Sequence, residues 1–81
     1  MRVELEQIAP NFCKVYLDDR TVYFSYTTPV AVSLWHEGVG RETYVIDAKY
    51  NYTAACRCRI YVPTDARPVS PDELKALIAA T

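Results

Sequence analysis

Short runs of alternating apolar and polar residues fill the first half of the chain. This period-two pattern is typical of β-strands that bury one side. We expect strands over residues 1–8, 12–17, 21–26, 30–35 and 42–47. Consecutive strands joined by short turns usually lie side by side. The pattern therefore predicts an antiparallel meander of four or five strands.

Turn-forming residues separate these runs. Asp18 and Asp19 can hydrogen-bond the local backbone and predict a hairpin between the second and third strands. Pro29 cannot donate to a strand ladder, so the third strand should end or bend there. Gly38 and Gly40 predict a loop with positive φ angles before the last strand. The hairpin strands carry bulky residues on both sides, so we expect both faces of the sheet to be partly covered.

A capping box predicts a helix near the C-terminus. Ser70 supplies the cap hydroxyl, Pro71 suits the first helical position, and Glu73 follows three residues after the cap. Apolar residues then repeat at helical spacing, and they are Leu74, Leu77 and Ile78. We expect a short helix over residues 71–80, preceded by an extended linker over residues 63–68.

Residues 53–62 fit two templates. As a strand, the segment alternates throughout, with Ala54, Cys56, Cys58, Ile60 and Val62 on one side. As a helix, it gathers a stripe spaced i, i+1, i+4, i+7 and i+8, formed by Ala54, Ala55, Cys58, Tyr61 and Val62. Asn51 or Thr53 could cap that helix. Periodicity alone does not separate the two.

The segment Val22-Tyr23-Phe24-Ser25-Tyr26-Thr27-Thr28-Pro29-Val30-Ala31 resembles the aromatic-Ser-Tyr-x-Thr-Pro-Val-Ala segment of a family of small uncharacterised proteins from phages, plasmids and other mobile elements. In that family a glycine turn, a strand and a Thr-rich helix start follow. Here Gly38-Val39-Gly40, residues 43–46 and Thr53-Ala54-Ala55 follow in the same order. The chain departs from the family at residues 56–59, where a basic residue, His and Ile are usual. The resemblance favours a helix over residues 53–62.

The length of 81 residues and 9.2 kDa allows one compact domain spanning residues 1–81. Half of the chain is hydrophobic (51%), which is enough for a core. In a chain of this length, few residues then remain to line a deep substrate cavity. We therefore expect a single α+β domain in which the meander carries one or two short helices on one face.

The formal net charge is −1, so charge-driven binding would have to be local. No run approaches the roughly 20 apolar residues of a membrane span, and the first residues lack the layout of a signal peptide. We expect a cytoplasmic protein that does not contact membranes. Its three cysteines, an odd number, predict free thiols.

No constellation predicts catalysis or a cofactor. His36, the single histidine, lies beside a glycine loop without a nucleophile or acid at a diagnostic spacing. Cys56 and Cys58, with His36, offer three zinc-type ligands, but a spacing of one residue is atypical. Asp18 and Asp19 are explained by the turn. We expect neither an enzyme nor a metal or cofactor site.

Basic and aromatic residues are interleaved after the last predicted strand. Together with Trp35 beside its loop, they form the candidate partner-binding set: Trp35, Lys49, Tyr50, Tyr52, Arg57, Arg59 and Tyr61. This mixture suits single-stranded nucleic acid and also protein interfaces. In a third interpretation it is plain surface, with the arginines paired to Glu4 or Glu6. The near-neutral charge favours protein over nucleic acid.

The resemblance implies an accessory protein of a phage or mobile element. By analogy with such proteins, we expect a non-catalytic inhibitor that binds a host protein complex such as a defence system, in the anti-CRISPR manner. A small nucleic-acid-binding regulator using the same residues is the alternative. A homodimer paired through an edge of the meander is the third hypothesis.

Overall fold

A computed structural model describes residues 3–38, 40–62 and 65–79 of the chain. The strands are β1 (Glu4–Ala9), β2 (Phe12–Tyr16), β3 (Arg20–Ser25), β4 (Thr28–His36), β5 (Gly40–Ile46) and β6 (Arg67–Val69); the helices are α1 (Tyr52–Tyr61) and α2 (Pro71–Ala79). Parts of four expected segments lie outside the described residues: residues 1–2, Val39 of the glycine loop, Pro63 and Thr64 of the linker, and Ala80.

The expected α+β class with an antiparallel meander is confirmed. Strands β1 to β5 pair in chain order, each antiparallel to the one before it. The end of the expected linker adds β6, which pairs with β5 in parallel. Among the described helices, none combines the length and hydropathy that crossing a bilayer requires.

The two helices pack on opposite faces of the sheet, not on one face as expected. Helix α1 shares a core with Tyr23 and Ala31, whereas α2 shares a second core with Val22 and Val32. Adjacent residues of a strand point to opposite faces. Because both sides of these central strands are apolar, each side needs its own cover, and the helices divide between them.

Residues 52–61 form the helix that the resemblance favoured. Asn51 is its N-cap, and its side-chain oxygen accepts a hydrogen bond from the backbone N–H of Ala54 at 3.1 Å. The helix buries Ala54, Ala55 and Cys58 against the sheet. The small side chains at these positions let the helix approach the strands closely.

The C-terminal helix begins as the capping pattern predicts. The Ser70 hydroxyl accepts a hydrogen bond from the Glu73 backbone N–H at 3.2 Å, and Leu74 is almost fully buried. At the other end of α2, the Arg20 guanidinium donates to the carbonyl of Ile78. Both ends of the helix are thereby tied to defined partners.

Strand β3 ends at Ser25, before Pro29, and Pro29 lies near the start of β4. Strands β3 and β4 are joined by a two-residue loop, since Ser25 pairs with Thr28. The first loop residue, Tyr26, has a φ of 58°. A register shift follows, because Tyr23 pairs with Ala31 while Phe24 pairs with Pro29. The bulge lets proline remain within β4.

Candidate functional site

A turn organised by Asp47 presents the first two residues of the candidate surface. The Asp47 carboxylate accepts a hydrogen bond from the Lys49 backbone N–H at 3.0 Å. The Asp47 backbone carbonyl accepts one from the Tyr50 backbone N–H, also at 3.0 Å. The Lys49 ammonium lies 5.2 Å from the centroid of the Tyr50 ring, within cation–π range. Lys49 and Tyr50 are therefore held together at the entrance to α1.

The outer side of α1 carries large side chains that the fold does not cover. Tyr52 is 69% exposed and Ile60 is 72% exposed, with half-buried Cys56 between them at helical i+4 spacing. Tyr50 is 52% exposed, and Arg59 is exposed on one flank of the helix. We name this set the α1 surface: Lys49, Tyr50, Tyr52, Arg59 and Ile60.

Two predicted members, Arg57 and Tyr61, are used by the fold. The Arg57 guanidinium donates to the carbonyl of Pro10 at 2.5 Å and to that of Asn11 at 3.5 Å. It also lies 5.2 Å from the centroid of the Phe12 ring. The Tyr61 ring packs on the same Phe12 ring at 5.1 Å between centroids. These side chains fasten α1 to the β1–β2 turn, where the Arg57 guanidinium donates to two backbone carbonyls.

Trp35 lies apart from the α1 surface. Its side chain lies on the α1 face of the sheet, as that of Ala31 does. Trp35 is four residues further along β4 than Ala31, a distance of about 13 Å at the usual rise per strand residue. It pairs in register with Arg41, is 64% exposed, and borders a hollow of about 400 Å³ with Tyr16 and Asp19. The predicted partner-binding set therefore does not form one continuous patch.

The zinc-type ligands considered from the sequence do not come together. Cys58 is buried under α1, with its sulfur 4.0 Å from the Val30 carbonyl oxygen. Burial raises the pKa of its thiol to about 12, so it stays protonated at neutral pH. His36 lies at the end of β4, with its Nε2 4.0 Å from a Glu42 carboxylate oxygen. Within residues 3–38, 40–62 and 65–79, no group of three His, Cys, Asp or Glu residues could hold a metal ion. All three cysteines are free.

The charged groups near His36 are engaged with one another. The Tyr44 hydroxyl donates to Glu42 at 2.5 Å. This hydrogen bond lowers the pKa of the Glu42 carboxyl, with a smaller contribution from the nearby His36 and Arg67. The same bond raises the pKa of Tyr44. These side chains lie on the sheet face opposite α1, where Glu42 pairs with Leu34 and Tyr44 pairs with Val32.

Ile60 is the member of the α1 surface that sequence reasoning missed. In the strand template it falls on the buried side, and its β-branched side chain favours that template. In the helix template it falls outside the buried stripe, on the same side as Tyr52. Projecting residues 52–61 onto a helix would have identified it.

Comparisons of the chain with protein-family models, curated proteins and solved structures found no match.

Proposed function

We propose that this protein works by binding another protein through the α1 surface. The observation that carries the proposal is the exposure of Tyr50, Tyr52 and Ile60, each more than half accessible within eleven residues of chain. Large apolar side chains gathered on one exposed patch are typical of interaction sites. Burying one such side chain in a partner stabilises a complex by roughly 1.5–3 kcal/mol.

The charges around the patch define the chemistry of the partner. Lys49 and Arg59 are exposed and flank the apolar side chains. Interfaces commonly combine an apolar centre with a polar rim. A partner with an apolar groove bordered by Asp and Glu would satisfy both parts of the α1 surface.

The partner class that we propose is a host protein complex, which the protein would inhibit without catalysis. Support for this part is the resemblance of residues 22–31 to proteins of phages and mobile elements, together with the analogy to small inhibitors of host defence systems. The α1 surface supports the binding step only, and the two parts are therefore tested separately.

Nucleic acid is the competing partner. Single-strand binding needs cations for the backbone and free rings for stacking. Arg57 and Tyr61, which would have supplied one of each, contact Phe12 and the β1–β2 turn instead. With Arg57 engaged, few cationic side chains remain for a nucleic-acid backbone, and the formal net charge of the chain is −1. A protein partner is therefore favoured over nucleic acid.

Affinity capture from bacterial lysate with quantitative mass spectrometry tests the binding step. We expect wild type to enrich a protein that Tyr52→Ala and Ile60→Lys do not. With the purified partner, Tyr52→Ala should raise the dissociation constant about 30-fold, as expected for a hot spot of about 2 kcal/mol. Inhibition of the captured complex, measured with the same variants, tests the second part.

Controls keep the test specific. Tyr26→Ala changes an equally exposed tyrosine, 68% accessible, far along the chain from α1, and should bind like wild type. Arg57 is left unchanged because its hydrogen bonds hold the fold. Equal capture by wild type and Ile60→Lys, or capture that nuclease treatment abolishes, would refute binding of protein through the α1 surface.

A further inference from the structure

The hollow beside Trp35 lies on a part of the sheet that α1 does not cover. Beneath the helix this face is apolar, as at Ala31. Two residues further along β4, a row of three hydroxyl side chains crosses the strands, formed by Thr21, Ser33 and Thr43. The described residues that line the hollow include none from α1. The sheet face is therefore open here, and its floor is polar.

Two aromatic side chains border this hydroxyl row. Tyr16 continues the row onto β2, and its hydroxyl donates to Glu6 at 3.0 Å. Trp35 lies two residues beyond Ser33, and its backbone N–H donates to the Asp19 carbonyl at 3.2 Å. Short side chains between large ones produce a depression of about 400 Å³, which is within the usual range of small-molecule pockets. The Trp35 ring, 64% exposed, is available for stacking.

Arg41 supplies an unpaired positive charge at the β5 side of the hollow. It pairs in register with Trp35 and is exposed. Within the described part of the chain, its guanidinium has no ion pair or hydrogen bond. By contrast, the Arg20 guanidinium donates to both carboxylate oxygens of Asp19 at 2.9 Å and to the Ile78 carbonyl. Arg41 is therefore the lining cation that is ready to bind an anion.

We propose that this hollow binds a nucleoside monophosphate, with the base stacked on Trp35 and the phosphate at Arg41. Side chains directly opposite each other on antiparallel strands have Cβ atoms about 4.5–5.5 Å apart, so one small ligand reaches both. An aromatic side chain stacks with any base because every base has a π-face. A guanidinium binds phosphate through two parallel hydrogen bonds. The hydroxyl floor gives the sugar polar neighbours.

The carboxylates around the hollow limit the ligand to one phosphate. Asp18 lines the hollow at the β2–β3 turn, and Glu6 lies beside Tyr16. These negative charges oppose the further phosphates of a nucleic-acid strand, and Arg41 offers a single guanidinium. The charge distribution therefore favours a free mononucleotide over a strand.

Fluorescence titration with AMP tests the proposal, because Trp35 is the only tryptophan of the chain. We expect AMP to change the emission saturably. Adenosine lacks the phosphate and ribose 5-phosphate lacks the base, so each should bind about tenfold more weakly or worse. Arg41→Gln should raise the dissociation constant for AMP about tenfold. Arg59→Gln is the matched control: it removes the same charge from an exposed arginine on α1 and should bind like wild type.

Isothermal titration calorimetry extends the test to Trp35→Leu, which lacks the fluorophore. We expect this variant to bind AMP about tenfold more weakly, because the stacking surface is lost. Circular dichroism should show that Arg41→Gln and Trp35→Leu remain folded.

Three results would each overturn the proposal. They are no saturable binding of AMP up to millimolar concentrations by either method, equal affinity of Arg41→Gln and wild type, and tighter binding of single-stranded oligoadenylate than of AMP. The proposal does not rest on the proposed function: Ile60→Lys tests partner binding and Arg41→Gln tests the hollow, so either can fail alone.

Discussion

At the scale of single residues, Tyr26 holds a backbone conformation that is rare for a bulky side chain. Its φ of 58° places it in the left-handed region, at the first position of the two-residue β3–β4 loop. Glycine is usually preferred at such loop positions because a side chain clashes with the backbone there. The Tyr26 ring is 68% exposed, so little packing offsets the strain.

We expect Tyr26→Gly to increase the free energy of unfolding by about 0.5–1 kcal/mol, since relief of the left-handed strain exceeds the entropy cost of glycine. Urea denaturation followed by circular dichroism measures the change. Thr27→Gly is the matched control: its φ is not positive, so glycine should lower stability there. Equal destabilisation by both variants would contradict the explanation.

Cys58 illustrates how burial alone changes the chemistry of a residue. Its pKa is about 12 in the folded protein against an ordinary value of 9.0. Above pH 9 the unfolded chain releases this proton while the folded chain keeps it, so the free energy of unfolding falls as pH rises towards 12. We expect Cys58→Ala to make this fall shallower, as measured by urea denaturation at several pH values.

Cys56→Ala is the control for that experiment, because Cys56 lies on the outer side of α1 and is only half-buried. Its stability should decline with pH as in wild type. An unchanged slope in Cys58→Ala would show that burial of this thiol does not contribute to alkaline unfolding.

At the scale of elements, caps decide where each helix begins. The α1 segment has small buried residues and large exposed ones, so its apolar pattern does not define a helix strongly. The Asn51 side chain defines the start of the helix instead, because its oxygen accepts a hydrogen bond from the Ala54 backbone N–H. In α2, Ser70 has the same role, supported by a clear apolar stripe.

We expect Asn51→Ala to lower the free energy of unfolding by about 1 kcal/mol, whereas Asn51→Asp, which preserves the acceptor, should cost little. Chemical denaturation of the three proteins measures this. Ser70→Ala should cost a similar amount if both caps act through their side-chain oxygens. If Asn51→Asp lowered the free energy of unfolding as much as Asn51→Ala, the stabilising contact would be made by the Asn51 amide N–H₂ and not by the capping oxygen.

At the scale of the whole molecule, two cores share a single sheet. Phe12, Tyr23 and Ala31 pack under α1, and Val22, Val32 and Leu74 pack on the α2 side. The same β3 and β4 backbone carries residues of both cores. Loosening one core therefore removes support from the other, and we expect the domain to unfold as one cooperative unit.

Leu74→Ala should lower the free energy of unfolding by about 2–5 kcal/mol, because it opens a cavity at a nearly fully buried position. If unfolding is cooperative, hydrogen exchange of the most protected α1 amides should accelerate by the same free energy, although α1 lies on the other face. Ile60→Ala, at an exposed site, should stay within about 0.5 kcal/mol of wild type. Unchanged α1 protection in Leu74→Ala would indicate two independently unfolding layers.

The sequence predicted the fold better than the site. Alternation predicted β1 to β5 and the capping box predicted α2, because neighbouring residues determine both patterns. The candidate set grouped Arg57, Arg59 and Tyr61 by proximity in the chain. A helix turns successive residues by about 100°, so Arg57 and Tyr61 contact Phe12 while Arg59 lies on the other flank.

By itself, the sequence determined the α+β class, an antiparallel meander and the turns before β3 and β5, since these follow from short-range periodicity and turn chemistry. Tertiary structure decided what depends on residues distant in the chain. It placed the helices on opposite faces, added β6 beside β5, and left Ile60 and Leu5 exposed. Which apolar side chains remain uncovered depends on where each helix packs, and only the assembled sheet fixes that.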